Sequence, residues 1–494
     1  MMRRWVFAAW LALVPGACAA ETLYDAIAFA YQTNPALRAE RAALRSVDET
    51  YVQAQAGYGP QVSVTAQYGY QDARVGHPAS LFVTPGATDY RAGTGQADLS
   101  AVQPVYASGA LQAQAKSASA QVLAERESLR NVESEVLQKV VTAYLDVRRD
   151  RETIRILKDE IAALTREFEE TKAKGKLGQL TRTDVALSEA RLLSALAQLN
   201  LAQGKLNASN AEYLNVVGQS PGELAPEPDL PGVPAAVDQA FDAAERNNPQ
   251  LRQAIHTERA AREKVDQAKA ANGATVQLRF DAAIQPTLPY VERQYDQDVS
   301  IAAVVTKPLF TAGLNSSKIR QALEDDNHAQ LLVENTRRGV VQRVAQAWDQ
   351  LVASQDALAI EQRQVEVESV AVQGSRVEER VGMRTTIDLL NAELELASAR
   401  LSLIQSRHDA YVARADLLSA MGLLEAQYLV PGAAVYSPTA ALNHVVGRSQ
   451  PPWTGPVGLL DAIAAPKTPE PHLSPVDAGA ERPADMPASA APRP

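Results

Sequence analysis

LRNVESEVLQKVVTAYLDVRRDRETIRILKDEIAALTREF, residues 129–168, lies within a longer stretch, 110–174, that contains neither glycine nor proline. Its apolar side chains recur after three, four or seven residues, which is the spacing of one helical face. At about 1.5 Å per residue, such a helix would reach roughly 100 Å, several times the size of an ordinary domain core. The stretch therefore predicts a long rod with one buried seam. The seam comprises Leu129, Val132, Val136, Val140, Tyr144, Val147, Ile154, Leu157, Ile161, Leu164 and Phe168.

The same pattern returns later in the chain. A shift of 204 residues carries Gln103-Pro104-Val105-Tyr106 onto Lys307-Pro308-Leu309-Phe310, and Gly109 onto Gly313. A register held over such a length indicates two copies of one structural unit, so the sequence predicts a tandem duplication. Further pairs in this register are Val140 and Val344, Tyr144 and Trp348, Val147 and Leu351, Gly178 and Gly382, Asp184 and Asp388, and Gly218 and Gly422.

Each copy opens with two predicted helices that are separated by an Asn-Pro break. The breaks are Asn34-Pro35 and Asn248-Pro249, an offset of 214 rather than 204, so the second copy lacks ten residues before Pro308. An alternating strand pair follows in each copy, with connections predicted at about 72–94 and 285–297. The missing residues therefore belong to a loop. Strands of about ten residues, as predicted here, have the length of transmembrane β-strands.

Long helical hairpins complete the copies. The first rod is predicted to turn at 176–181 and return as 183–217, and the second rod, 314–380, to return as 385–421. A proline-rich linker joins the copies, and a Pro/Ala-rich stretch without period follows the second. The predicted organisation is a signal peptide at 1–20, a first repeat at 21–222, a linker at 223–236, a second repeat at 237–430 and a largely disordered tail at 431–494.

The N-terminus reads as a secretory signal, with Arg3 and Arg4 before a short apolar core. Cleavage after Ala19 or Ala20 would remove Cys18, the only cysteine, and a thiol-free product suits an oxidising compartment. Lipid attachment at Cys18 is the alternative. A net charge of −10 without a basic tract argues against nucleic acid as a partner. No later segment has the length and apolarity of a transmembrane helix, so strands must make any membrane contact.

Four strands cannot close a barrel, because the smallest barrels need about eight. An open sheet in lipid would leave unpaired backbone groups at both edges, each costing several kcal/mol. The chain is therefore predicted to form a cyclic oligomer, and three copies would supply twelve strands.

The Asn-Pro breaks, the Gln-Pro-Val-Tyr and Lys-Pro-Leu-Phe segments, and VGMRTTIDLL at 381–390 in register with LGQLT at 177–181 carry a family resemblance. Over about residues 22–428 the chain resembles the TolC family of outer-membrane efflux proteins. The resemblance implies an α+β membrane protein: a homotrimer with a 12-stranded β-barrel in the outer membrane of a Gram-negative cell, continued by a large periplasmic α-helical barrel. It also implies outer-membrane lipid around the strands, a periplasmic adaptor protein, and an inner-membrane ABC or proton-driven transporter.

The resemblance further places a periplasmic gate where the hairpin turns converge, at Arg384, Asp388 and Asn391 in the second copy and at Thr183 and Asp184 in the first. Asp388 and Asn391 share a helical face, and threefold symmetry would gather three Asp388 carboxylates, which attract cations. The alternative is an ordinary exposed Arg384–Asp388 pair worth about 0.3–0.5 kcal/mol.

Two residues depart from the family pattern. Asn391 stands where well-known members carry a second aspartate, and Glu379 where they carry a tyrosine. The two turns are the candidates for adaptor docking, and ordinary exposed turn chemistry is the alternative. The docking candidates are Gly178, Leu180, Thr181, Gly382, Met383 and Thr385.

No catalytic, metal or cofactor site is predicted, because the six histidines are scattered without ligand spacing. The favoured function is a passive exit duct for protein or small-molecule cargo. A secreted coiled-coil scaffold or adhesin, with similar helices but no channel, is the alternative.

Overall fold

The structure, a computed structural model, describes residues 20–77, 86–287, 295–430, 435–449 and 452–470. The predicted signal peptide up to Ala19, with Cys18, and the tail from 471 onward lie outside the described residues. The chain divides into two compact units. One comprises the chain up to Val52, Ser119–Thr257 and Leu332–Ser449, and the other comprises Gln53–Ala118, Glu258–Leu331 and the chain from Gln450.

The helices confirm the predicted duplication, and their ends lie within about two residues of the predicted ones. Both long rods have 67 residues. None of the described helices combines the length and the apolarity that crossing a membrane requires. The first copy contains α1 (Leu23–Thr33), α2 (Pro35–Ala56), α3 (Ala110–Lys176) and α4 (Arg182–Val217), and the second contains α5 (Val237–Asn247), α6 (Pro249–Ala270), α7 (Leu314–Arg380) and α8 (Thr386–Ala420).

The two Asn-Pro breaks have the same structural role in both copies. The buried Asn34 side chain donates through Nδ2 to the Val216 carbonyl at 2.9 Å, and Asn248 donates to the Ala420 carbonyl at 2.9 Å. Each asparagine thus satisfies a carbonyl at the C-terminal end of its own hairpin, where helical carbonyls lack partners. The break therefore ties the short helix pair to the hairpin.

The predicted seam of α3 is buried or half-buried along its whole length. At its centre, Tyr144 is fully buried, and its hydroxyl donates to the carbonyls of Glu21 at 2.9 Å and Ala225 at 2.7 Å. A buried tyrosine needs such a partner for its polar end. Because Ala225 belongs to the segment between the copies, this contact holds that segment against the core.

The strands form one antiparallel sheet in the order β1-β2-β3-β4. Their bounds are β1 Gln61–His77, β2 Gly86–Tyr106, β3 Thr275–Pro286 and β4 Tyr295–Thr306. The predicted connection 72–94 was wrong at both ends, because β1 and β2 continue into it. Cross-strand ion pairs hold this extension, with Arg91 Nε 3.0 Å from Asp72 Oδ2 and Arg74 Nε 3.6 Å from Asp89 Oδ1. The sequence did not predict this extension, because polar residues occur on both of its faces and no apolar–polar alternation results.

After α8 the chain continues as three shorter helices, α9 (Ala426–Leu429), α10 (Pro438–Ser449) and α11 (Thr454–Asp461). Residues 452–470, here called the C-terminal segment, belong to the predicted tail and contain α11. Asp461 is fully buried, and its carboxylate accepts N–H bonds from Ala107 at 2.6 Å, Gly109 at 2.9 Å and Gln112 at 3.1 Å. The segment thus supplies the cap that the first turn of α3 lacks.

Candidate functional site at the hairpin turns

The two hairpin turns, 177–181 and 381–385, have the same backbone design. Gly178 and Gly382 adopt left-handed conformations, with φ of +76° and +77°. The N–H of Met383 donates to the Glu378 carbonyl at 2.8 Å, and an equivalent bond closes the first turn. This is a Schellman motif, whose left-handed position favours glycine. Each rod therefore ends where the sequence places its glycine.

Capping boxes then start the returning helices. The Asp388 carboxylate accepts from the Thr385 N–H at 3.1 Å and from its hydroxyl at 2.7 Å, and Asp184 accepts from Thr181 at 3.0 and 2.7 Å. The hydrogen bond from the threonine hydroxyl and then that from the backbone N–H hold the pKa of both carboxyls below the ordinary value. Both predicted gate aspartates are thus ionised members of a capping box; Asp388 is exposed and Asp184 is partly exposed.

The Arg384–Asp388 ion pair considered from the sequence is not formed. Arg384 turns back onto α7, where its Nε lies 2.6 Å from Glu378 Oε2 and its Nη1 donates to Ser375 Oγ at 3.1 Å. The pairing changes because the Asp388 carboxylate is directed to its own helix N-terminus. The positive charge of Arg384 is therefore neutralised by Glu378, which lies on the other side of the turn.

Contacts between the hairpins involve the two residues that depart from the family pattern. Arg191 Nη2 of α4 donates to Asn391 Oδ1 of α8 at 2.7 Å. Lys174 Nζ of α3 lies 3.6 Å from Glu379 Oε1 of α7. Asn391 and Glu379 thus join the first hairpin to the second within one chain. Arg191 and Lys174 were not predicted from the sequence, because about 200 residues separate each from its partner and no local pattern marks the pairing.

An apolar cluster lies beside these polar contacts, formed by Leu164, Ala195 and Leu390. A cavity of about 330 Å³ opens between the four long helices at the same level. Burial and the Glu393 carboxylate raise the pKa of Glu160 in its wall. Because the cluster is small, polar contacts carry much of the cohesion between the hairpins here.

The predicted docking residues all lie at the turns. Met383 is 78% exposed, Gly178 and Gly382 have open space around them, and Leu180 is half-buried. Leu177 and Val381, absent from the prediction, add exposed apolar side chains at 75% and 65%. Thr183 is exposed in the first turn of α4. The turns therefore present apolar side chains on glycine-shaped loops.

Comparisons with known proteins agree with this arrangement. The family model described as outer membrane efflux protein matches residues 26–219 and 240–423, which are the two copies. The chain is 32% identical over 422 residues to the outer membrane efflux protein BepC of Brucella suis, covering 85% of this chain and 90% of that protein. It is 24% identical over 468 residues to the outer membrane protein TolC of Escherichia coli, covering 91% and 89%.

A solved structure shows the same fold. The outer membrane protein VceC of Vibrio cholerae matches with a TM-score of 0.68 at 19% identity, covering 81% of this chain and 96% of that one. The family consists of channel proteins, which decides against the secreted scaffold and, at the level of the family, against an enzyme. The chain therefore belongs to the outer membrane efflux protein family, and it is an export duct of the outer membrane.

Proposed function

We propose that three copies of this chain form the exit duct of a tripartite export system, with a twelve-stranded β-barrel and an α-helical barrel. The observation that carries the proposal is the four-stranded sheet, whose order leaves β1 and β4 as edges. Unpaired backbone groups cannot face lipid without a large free-energy cost, whereas a closed ring has no edge. Three copies in head-to-tail symmetry supply that closure.

The second hairpin supports the same assembly. Apolar side chains on α7 are exposed in the single chain, among them Leu331, Ile360 and Val370 at 63%, 67% and 68%. They lie off the seam of α7, because the α7 counterparts of the α3 seam, among them Val333, Val344 and Leu351, are buried within the chain. Apolar faces of this extent mark protein interfaces. In the ring, these side chains would be covered by the neighbouring copy.

The gate is proposed at the hairpin turns. Asp388 is the central residue, because its lowered pKa keeps it ionised and threefold symmetry would bring three such carboxylates together. Asp184 and Thr183 are the gate residues of the first repeat. Arg384 stabilises the second turn by its ion pair with Glu378. The Arg191–Asn391 and Lys174–Glu379 contacts support a closed state in which each chain's hairpins are held together.

The partners are proposed to be a periplasmic adaptor, bound by the turns, and an inner-membrane ABC or proton-driven transporter. Gly178, Leu180, Thr181, Gly382, Met383 and Thr385 form the docking surface. Since the pump selects the cargo, loss of the gene is expected to abolish either secretion of specific proteins or resistance to small molecules. Measuring both the secreted proteome and the drug sensitivity of a deletion strain identifies which of the two kinds of cargo is exported.

The assembly is tested by the mass of the purified mature chain in detergent. Light scattering should return three times the chain mass, and trimers in planar bilayers should conduct ions weakly until the gate is opened. A monomer in mild detergent, or strands whose side chains are accessible to water on both faces of the sheet, would refute the duct.

A further inference from the structure

The two edge strands, β1 and β4, each expose a row of apolar side chains. Both expose apolar side chains on one face, and all of those named here are 64% to 79% exposed. On β1 these are Val62, Val64, Tyr68 and Tyr70, and on β4 they are Val299, Ile301 and Val305. In β1 the apolar residues alternate with polar ones; in β4 the other side carries Asp298, Ser300 and Thr306, together with the apolar Ala302 and Val304. Each edge thus has one apolar and one more polar side.

The duplication preserves the strand register as well as the strand order. In the first pair, Gln61 lies opposite Val102. Offsets of 214 for β1 and 204 for β2 carry these residues onto Thr275 and Thr306, which lie opposite each other in the second pair. The strand pairing within the first repeat is therefore reproduced residue for residue in the second. The pairing between the two repeats can accordingly serve as a template for the pairing between neighbouring chains.

Between the copies of one chain, β2 pairs with β3, with Ala97 opposite Ile284 and Ala101 opposite Phe280. In a head-to-tail ring, the equivalent junction joins β4 of one chain to β1 of the next. Applying the two offsets to the known junction defines its register. We propose that β4 of one chain pairs with β1 of the neighbouring chain, with Ile301 opposite Tyr70 and Val305 opposite Ala66. This inference rests on the ring of the proposed function.

The pattern of exposed side chains supports this register independently. Odd-numbered apolar residues of β4 come to lie opposite even-numbered apolar residues of β1, so both apolar sides face the same way. On the other side, Thr306 comes opposite Thr65. A slip of one residue in either direction would place Ile301 and Val305 of β4 opposite polar residues or glycine of β1. The offsets were obtained without reference to polarity, and the register they select is one of those, two residues apart, that match the apolar sides of both strands.

Cysteine cross-linking tests the register directly, because Cys18 is the only cysteine in the chain. In a Cys18→Ala background, two double variants place cysteines at opposed positions, Ala303→Cys with Tyr68→Cys and Val304→Cys with Gln67→Cys. Opposed pairs in an antiparallel ladder alternate between wide and close spacing, so one of the two variants has the spacing that a disulfide needs. Because β1 and β4 are separated by two strands, only a second copy can complete the bond.

The matched controls shift each pair by two residues on the same face, as Ala303→Cys with Ala66→Cys and Val304→Cys with Thr65→Cys. The opposed variant that has the disulfide spacing should give a reductant-sensitive ladder up to three chains, several-fold stronger than its own control. Equal or stronger cross-linking in the controls overturns the register. Light scattering on the same samples separates the two proposals, since a trimer that cross-links in neither opposed variant overturns the register alone, whereas a monomer overturns both.

Discussion

Removing the Arg191 side chain should weaken the closed state of the proposed gate. The Arg191→Ala variant loses a 2.7 Å bond between a guanidinium and the Asn391 amide oxygen, the closest polar contact that the structure gives between the hairpins at this level. A hydrogen bond to a charged group contributes about 1.5–3 kcal/mol when buried, and partial exposure reduces this to about 1 kcal/mol. If the three chains open together, the closed state loses about 3 kcal/mol, which is roughly a hundredfold in the open-to-closed ratio.

Single-channel recording in planar bilayers measures this ratio, and Asn391→Ala completes a double-mutant cycle. The two single variants should each raise the open probability, and the double variant should add little further. Arg182→Ala removes an exposed arginine at the start of the same helix and serves as the control. Lys174→Ala should have a smaller effect, because its 3.6 Å pair with Glu379 is longer and Lys174 also pairs with Glu170 of its own helix at 2.8 Å. Open probability equal to wild type in Arg191→Ala, with additive effects in the cycle, would refute the closed-state contact.

Three further changes have expected outcomes. Asp388→Asn keeps a capping side chain but removes the charge, so it should lower cation selectivity and alter conductance in bilayers; unchanged currents would remove Asp388 from the gate. Asp461→Ala leaves three N–H groups of the α3 start without their acceptor, so the melting temperature should fall by an amount equivalent to about 1–3 kcal/mol. Glu470→Ala should change it little, because the Glu470 side chain is 85% exposed and its partner Arg262 keeps Glu258 at 3.7 Å. Burial raises the pKa of Glu133 to about 7, so the free energy of unfolding should decrease as pH rises from about 4.5 to 7, and Glu133→Gln should remove this dependence.

The sign of the last prediction follows from the two states. Unfolded Glu133 ionises at its ordinary pKa, while the folded carboxyl stays protonated until about pH 7, so rising pH favours the unfolded chain through this interval. The difference amounts to about 3 kcal/mol at most, at 1.36 kcal/mol for each pKa unit. A pH profile of urea unfolding that is the same in Glu133→Gln and wild type would contradict this assignment.

The sequence by itself determined the duplication, the helices and the hairpin turns. These features are local: a helix needs an apolar period of 3.6 residues, and its ends need a glycine at the left-handed position or a threonine three residues before an aspartate. Gly382 and the Thr385–Asp388 box therefore mark the second turn in the amino-acid sequence itself. The strands were located by their alternation, and they were cut short by several residues in the first pair, where Arg91 and Asp72 interrupt it, and by two or three in the second, where β3 reaches Pro286 and β4 begins at Tyr295.

Only the tertiary structure decided which side chains meet across the chain. Asn391 meets Arg191, Glu379 meets Lys174, and Asp461 caps a helix whose first turn lies about 350 residues earlier. The sequence shows no periodic pattern that marks such partners, because charged and amide side chains also occur on helix faces that are exposed to solvent. The physical reason is that secondary structure is satisfied within a few residues, whereas these polar groups find partners only after packing has brought distant segments together.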